Sequence, residues 1–332
     1  MRNNFNMQKY MADETLPHVP SAKYECDLHC HTTRSDGADT PEELIINAKM
    51  AGLTVLAVTD HDVTPPEKVS VASGEEMDIC EYASGHGILL LRGIEISCET
   101  EVEDVHIVCF GCEWKDGFFA ELEKNVKESK VNGYKELAER LRRCGMDVSW
   151  QEILENGGRP VDEEHVQKKM IFELMAKKGY APDWSTAKLM VKNDARLLVK
   201  RKKPDPVRVI NEIHRCGGIC ILAHPFLISD EVNLCGDITD RRSYIERLIG
   251  TGIDGIEACY PYSRTSYGGR LSDGEIENYI RREYSERLEI ISGGSDYHAD
   301  HKKGVKDTRT LGECGITYEE FQNNRILQNF IV

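Results

Sequence analysis

Apolar positions along this chain gather into short, nearly continuous runs, and longer stretches with helical spacing lie between them. The runs at 24–30, 54–59, 87–97, 104–110, 218–223, 253–259 and 288–292 have the length and continuity of strands buried on both faces. The run at 87–97 is long enough to divide in two. The clearest helical pattern opens with Thr40 as N-cap, Pro41 in the first helical position and Glu43 completing a capping box, and it stops near Gly52. Another covers 205–216, ends at Gly217 and Gly218, and passes at once into a strand. Seven strands with interleaved helices predict an α/β protein built as a parallel barrel.

The alternation stops between 115 and 204. Residues 117–144 and 163–179 carry apolar side chains at helical spacing, and NGGRP at 156–160 separates them. A basic run, KRKK at 200–203, followed by Pro204, marks the return to the strand pattern. The expected organisation is a polar N-terminal extension at 1–23, a barrel made of 24–114 and 205–332, and a helical cap at 115–204. The cap is inserted after the fourth strand, where it closes over the barrel mouth.

Composition narrows the function classes. Of 332 residues, 40% are hydrophobic and 30% charged, which supplies a sizeable core and excludes global disorder. The net charge of −15 repels long polyphosphate backbones unless positive charge or metal is concentrated at one site. A small anionic substrate or a short nucleic acid is therefore expected, and a long duplex is not. No segment approaches the roughly 20 apolar residues of a membrane span, and the first 23 residues lack a secretory pattern. The expected location is the cytoplasm, without membrane attachment. In that setting the twelve cysteines read as reduced thiols, many of them buried. Neither Cys109 with Cys112 nor Cys216 with Cys220 has a second pair at zinc-ribbon spacing.

The candidate chemistry collects where strands end. His29 and His31 follow the first strand two residues apart, so their side chains point to one face. Two convergent imidazoles suit zinc, manganese or iron. Asp36 lies in a tight Ser-Asp-Gly turn just beyond. His61 ends the second strand in Thr59-Asp60-His61-Asp62, and Glu95 lies in the third segment in Gly93-Ile-Glu95. His106 sits among apolar residues of the next strand, and His224 ends another in Leu222-Ala-His224-Pro225. Asp296 and His298 follow the last strand in Gly293-Gly-Ser-Asp296-Tyr-His298. Singly, each has a bland structural explanation. Together they place His and carboxylate groups after nearly every strand, where barrel enzymes build their sites. Nine such groups exceed the four of a closed structural site and fit two or three ions with open positions.

HxH, SDG, TDHD, GIE, LAHP and GSDYH in this order resemble the polymerase and histidinol phosphatase (PHP) family over roughly residues 24–114 and 205–300. The resemblance implies a distorted (β/α)7 barrel and a trinuclear centre of manganese, iron or zinc. Its ligands would be His29, His31, Asp36, His61, Glu95, His106, His224, Asp296 and His298, with Glu95 bridging. Asp36, His61, Glu95, Asp296 and His298 would form the catalytic set. The inserted cap and GICILAHP resemble the branch of nucleoside 3′,5′-bisphosphate phosphatases and 5′–3′ exoribonucleases acting on short RNA. That branch shows Arg-Pro-His in its cap. Here Val161 follows Arg159 and Pro160, and the next histidine is His165.

The implied activity is metal-dependent hydrolysis of phosphate esters of nucleotides or short RNA, by a water that the ions make acidic enough to attack phosphorus in line. The alternative in the same family is a histidinol-phosphate or other small-phosphate monoesterase. Two further classes are a metal-binding module without catalysis and an amidohydrolase acting on carbon. A second substrate phosphate needs cations outside the metal cluster, and arginine forks suit it. Arg159 in the cap and Arg264 after the sixth strand are the candidates. The KRKK run is read as a solvated hinge.

Overall fold

The computed structural model describes residues 21–331 apart from 72, 73 and 306. All seven apolar runs join one sheet in chain order. Its strands are β1 (Cys26–Asp27), β2 (Val55–Val58), β3 (Leu89–Cys98), β4 (Val105–Phe110), β5 (Ile219–Leu222), β6 (Gly255–Cys259) and β7 (Ile290–Gly293). The two edges approach each other: Leu28 N–H donates to the Gly293 carbonyl at 3.2 Å, and His31 N–H donates to the Tyr297 carbonyl at 2.8 Å. The result is a nearly closed seven-stranded α/β barrel, as the alternating pattern predicted.

The barrel is not wholly parallel. β4 runs antiparallel to both β3 and β5, while the other pairs are parallel. The reason lies in a connection length. Only residues 99–104 separate β3 from β4, far too few for the crossover that a parallel pair requires. The segment at 87–97 is one continuous strand rather than two, because all of Gly93–Cys98 pairs with β4.

Helix α1 (Pro41–Ala51) has the expected capping box and ends at Gly52 in a left-handed conformation, φ 87°. Helix α2 (Ile79–Gly85) precedes β3. The insertion supplies α3 (Gly117–Arg143), α4 (Trp150–Glu155), α5 (Lys168–Lys177) and α6 (Trp184–Asn193). Then α7 (Pro206–Arg215), α8 (Arg241–Thr251) and α9 (Asp273–Tyr284) alternate with β5, β6 and β7. Two hairpins, Lys68–Ser70 with Glu76–Asp78 and Glu231–Leu234 with Asp237–Asp240, escaped the sequence reading. Their strands are too short and polar to register as apolar runs.

α3 ties the two helical environments together. Its first turns bury Phe118, Phe119 and Leu122 in the barrel's outer core with Ile107, Val209 and Ile213. Its last turns bury Leu137, Ala138 and Leu141 in a separate cluster with Ile153, Ile171, Met175 and Val191. All twelve cysteines are free thiols. Among the described residues no helix is long and apolar enough to cross a membrane. Most of the polar extension expected at 1–23 lies outside the described residues.

Candidate metal centre

Parallel strands present their carboxyl ends at one mouth of the barrel, so residues far apart in sequence meet there. Glu95, on β3, is fully buried at the centre. Its Oε2 lies 3.1 Å from His29 Nε2, 3.2 Å from His31 Nε2 and 3.0 Å from His61 Nδ1. Its Oε1 lies 2.9 Å from His106 Nδ1 and 3.0 Å from His224 Nε2. Asp296 Oδ1 is 3.1 Å from His31 Nε2, and His298 Nε2 is 3.0 Å from Asp36 Oδ1. The structure thus brings all nine predicted groups into one cluster. His224 and Asp296 reach it with backbone φ of 28° and 51°, a region that costs a non-glycine residue energy and is found at sites that need it.

The donor set fits metal ions better than it fits itself. Among the described residues, buried His29 Nε2, both ring nitrogens of His31, His61 Nδ1, His224 Nδ1 and Glu95 Oε2 have no hydrogen-bond partner. Buried polar atoms are ordinarily paired. Here these atoms converge on one another instead of on hydrogen-bond partners. Among the described residues, three groupings within this cluster have ligand atoms within 4.8 Å of one another: His31 with Asp36, His61 and His298; His29 with His31, Glu95 and Asp296; and His61 with Glu95 and His106. Imidazole and carboxylate without thiolate is a first-row divalent set.

The electrostatics run the same way. Burial alone would raise the Glu95 carboxyl, but the imidazoles of His61, His29 and His106 hold it well below the usual range. Burial would likewise raise Asp296, and His298, His31, His29 and Arg309 keep it ionised. In return, the Glu95 charge overcomes burial at His61 and lifts it to about 10. His106, where burial prevails, falls to about 4. Without ions, protons on some of these imidazoles balance the carboxylates, and a divalent cation would take over that balance.

Supporting residues fix the cluster, and several were not foreseen. Glu257 on β6 faces His29 Nδ1 at 3.2 Å through Oε1 and accepts the His224 backbone N–H at 2.7 Å through Oε2. A carboxylate only accepts, so Nδ1 of His29 carries the proton and Nε2 turns to Glu95 and Asp296. Tyr260 donates to Asp296 Oδ2 at 2.7 Å, and Arg309 donates to the same oxygen at 2.5 Å while its Nε donates to Asp300 at 2.8 Å. Asp60 accepts from Thr32 and Ser35 and so anchors the turn that carries Asp36. An acid inside the apolar run 253–259 was the available signal for Glu257. Arg309 lies in the loop after β7 and had none.

The two arginines proposed as phosphate binders are placed differently. Arg264 is ion-paired with Glu313 at 2.8 Å and donates to the Thr308 carbonyl at 3.1 Å, so it braces the loop that carries Arg309. Arg159 is exposed beyond α4 and, among the described residues, its side chain has no polar partner in the cluster. 

A family model described as the PHP domain matches residues 27–201. A 5′-3′ exoribonuclease of Haemophilus influenzae is 29% identical over 200 residues, which cover 60% of this chain and 68% of that protein. A 3′,5′-nucleoside bisphosphate phosphatase of Chromobacterium violaceum is 26% identical over 290 residues, covering 84% of this chain and 88% of that one. A solved structure from Bifidobacterium adolescentis, of a protein proposed to be a metal-dependent phosphoesterase, has a TM-score of 0.62. Its sequence identity is 21%, with 92% of this chain and 96% of that chain covered, a likeness of fold.

Proposed function

The chain belongs to the PHP-domain family, and from that premise we propose that it is a metal-dependent phosphoesterase acting on phosphate esters of nucleotides or short RNA. The observation that carries the reading is the buried Glu95 ringed by five imidazoles, several of whose nitrogens make no hydrogen bond. His29, His31, Asp36, His61, Glu95, His106, His224, Asp296 and His298 would hold two or three divalent ions, with manganese, iron and zinc all suited to the donors. When bound, such ions offset charge on the phosphoryl oxygens and make water acidic enough to attack at neutral pH.

The chain's own residues do the positioning. Glu257 keeps the His29 ring in one tautomer. Arg309 and Tyr260 occupy Asp296 Oδ2 and leave Oδ1 toward His31. Supports of this kind typically change metal affinity or activity by roughly 10–100-fold. Asp36 and His61 are the more exposed members of the cluster, so the substrate phosphate approaches from their side. The test is phosphate release, with manganese and after chelation, from adenosine 3′,5′-bisphosphate, a 5′-phosphorylated short RNA and histidinol phosphate. Manganese-dependent turnover of either nucleotide substrate is the expected result. Turnover of histidinol phosphate alone would reassign the substrate, and inactivity on all three would remove the reading.

A further inference from the structure

The basic strap at 200–203, between the helical insertion and α7, divides into two kinds of residue. Lys200 is ion-paired with Glu101 at 2.5 Å, and Lys203 with Glu103 at 3.6 Å. The Lys203 backbone bonds Thr100 Oγ1 at 3.0 Å, and the Ser129 hydroxyl donates to the Lys202 carbonyl at 2.7 Å. The strap is therefore pinned to α3 on one side and to the β3–β4 connection on the other. Arg201 is held between the pins and, among the described residues, has no carboxylate at ion-pair distance. Its stem lies against Gly133 of α3, where an added Cβ would come within 3.1 Å of Arg201 Cγ.

Two adjoining hollows meet at this strap. The larger, about 430 Å³, runs between α3 and residues 200–204. Its acids are already engaged, Glu121 with Arg208, Glu136 with Arg140 and Glu128 with Lys124. The smaller is lined by Arg201 and Lys202 together with Ser97 and Asp62, the residue that follows His61 in the chain. Two further cations lie close enough to Arg201 to feel its charge, Lys130 next in the chain to Ser129, which lines both hollows, and Lys168. Burial and then Arg201 push the Lys130 ammonium down, while Asp36 draws it up. Lys168, at the start of α5, is likewise pushed down by burial and then by Arg201. Among the described residues none of these three cations is at ion-pair distance from a carboxylate, although Asp36 and Glu103 act on Lys130 and Lys168 from further away, and an anion relieves their mutual repulsion.

We propose that Arg201, flanked by Lys130 and Lys168, binds the second, non-scissile phosphate of a nucleotide whose other phosphate lies at the Glu95 cluster. The guanidinium fork suits a phosphate bidentately, and the strap carries it to the edge of the barrel mouth. The assignment rests on the proposed phosphoesterase reading for the scissile end only. The shared ligand chemistry is a phosphate one nucleoside away from the bond that is cut, which both a free bisphosphate and the end of a short RNA supply.

The test compares the wild type with Arg201→Gln and Arg201→Lys. Binding of adenosine 3′,5′-bisphosphate and of a 5′-phosphorylated triribonucleotide is measured by calorimetry on chelated protein. Steady-state kinetics on both ligands and on 4-nitrophenyl phosphate follow with manganese. Arg201→Gln should weaken binding of at least one nucleotide ligand roughly tenfold or more and lower its kcat/KM mainly through KM. Turnover of the aryl phosphate should change less than about threefold, and Arg201→Lys should fall between. Loss with only one of the two nucleotide ligands identifies the source of the phosphate. Unchanged binding in Arg201→Gln, absent binding in the wild type, or equal losses on nucleotide and aryl phosphate would overturn the proposal, the last showing that Arg201 only balances Asp62. A wild type that binds through Arg201 yet hydrolyses nothing would overturn the phosphoesterase reading and leave this one standing.

Discussion

At the scale of single residues, the proposed function separates groups that would hold ions from groups that would aim them. Asp296→Asn and His29→Ala each remove a converging donor from a fully assembled set. Both should reduce manganese-dependent turnover to below about 1% while circular dichroism stays native, and metal content after gel filtration should fall. Near-normal turnover in either variant would take that residue out of the chemistry. Supporting groups should behave differently. Tyr260→Phe removes one of two donors to Asp296 Oδ2, and should cost about 1.5 kcal/mol of stability with turnover within roughly tenfold of wild type. Urea unfolding alongside kinetics checks both. A loss of turnover as complete as that of Asp296→Asn would place Tyr260 in the reaction itself.

At the scale of elements, two junctions can be tested. Gly294 follows β7 where it closes on β1, and a Cβ there would stand 2.3 Å from His29 Cβ and 2.6 Å from its backbone nitrogen. Gly294→Ala must therefore displace either the strand end or His29. Metal content should fall even though no ligand has been changed, and unaltered content would show that the barrel seam yields freely. The second junction joins the start of α3 to the end of α7. Asp116 caps α3 through the Phe118 N–H at 2.9 Å and pairs with Arg215 at 2.6 Å. The Arg215 contact first, and the Phe118 N–H second, lower its carboxyl to about 2. A depressed carboxyl contributes stability above its unfolded value of about 4. That contribution is lost as pH falls through about 2. Asp116→Ala should accordingly lower Tm at pH 7, and the difference from wild type should shrink below pH 4. A difference independent of pH down to 2 would mean that the charge is not responsible.

At the scale of the whole molecule, the cluster links metal content to folding. Buried ring nitrogens and Glu95 Oε2 without hydrogen bonds weaken the metal-free barrel. Ions that bind only the folded state add RT ln(1 + [L]/Kd), about 4 kcal/mol at a thousandfold excess over Kd. Chelation should therefore lower Tm by several degrees, roughly 1–2 °C for each kcal/mol at this size. Restored manganese should reverse the change, and a calorimetric Tm indifferent to both would contradict tight binding by the folded state. The same scale explains how an acidic chain handles an anionic substrate. Its net charge is −15, and ions held at the Glu95 cluster would concentrate positive charge at the mouth where the substrate binds.

Much of this was legible in one dimension. Buried parallel strands leave continuous apolar runs, so seven strands could be counted, and the capping box of α1 could be placed to the residue. The nine candidate ligands were visible because barrel topology puts site residues at strand ends, beside the apolar runs that mark them. What the sequence could not carry depended on distance in space. The reversal of β4 followed from a short connection whose neighbours were known only after pairing. Glu257 and Arg309 support ligands 228 and 13 residues away in sequence, Glu257 toward His29 and Arg309 toward Asp296. Arg264 lay on the anticipated mouth, but Glu313 occupies it. The KRKK strap looked like a solvated hinge until the β3–β4 connection took up two of its lysines, α3 held the Lys202 carbonyl, and Arg201 was left in one hollow with Asp62. Local pattern determines which residues are apolar, capped or able to ligate. Partnership among charged and polar groups is set by packing, because an ion pair or hydrogen bond depends on a few ångströms that only the folded chain fixes.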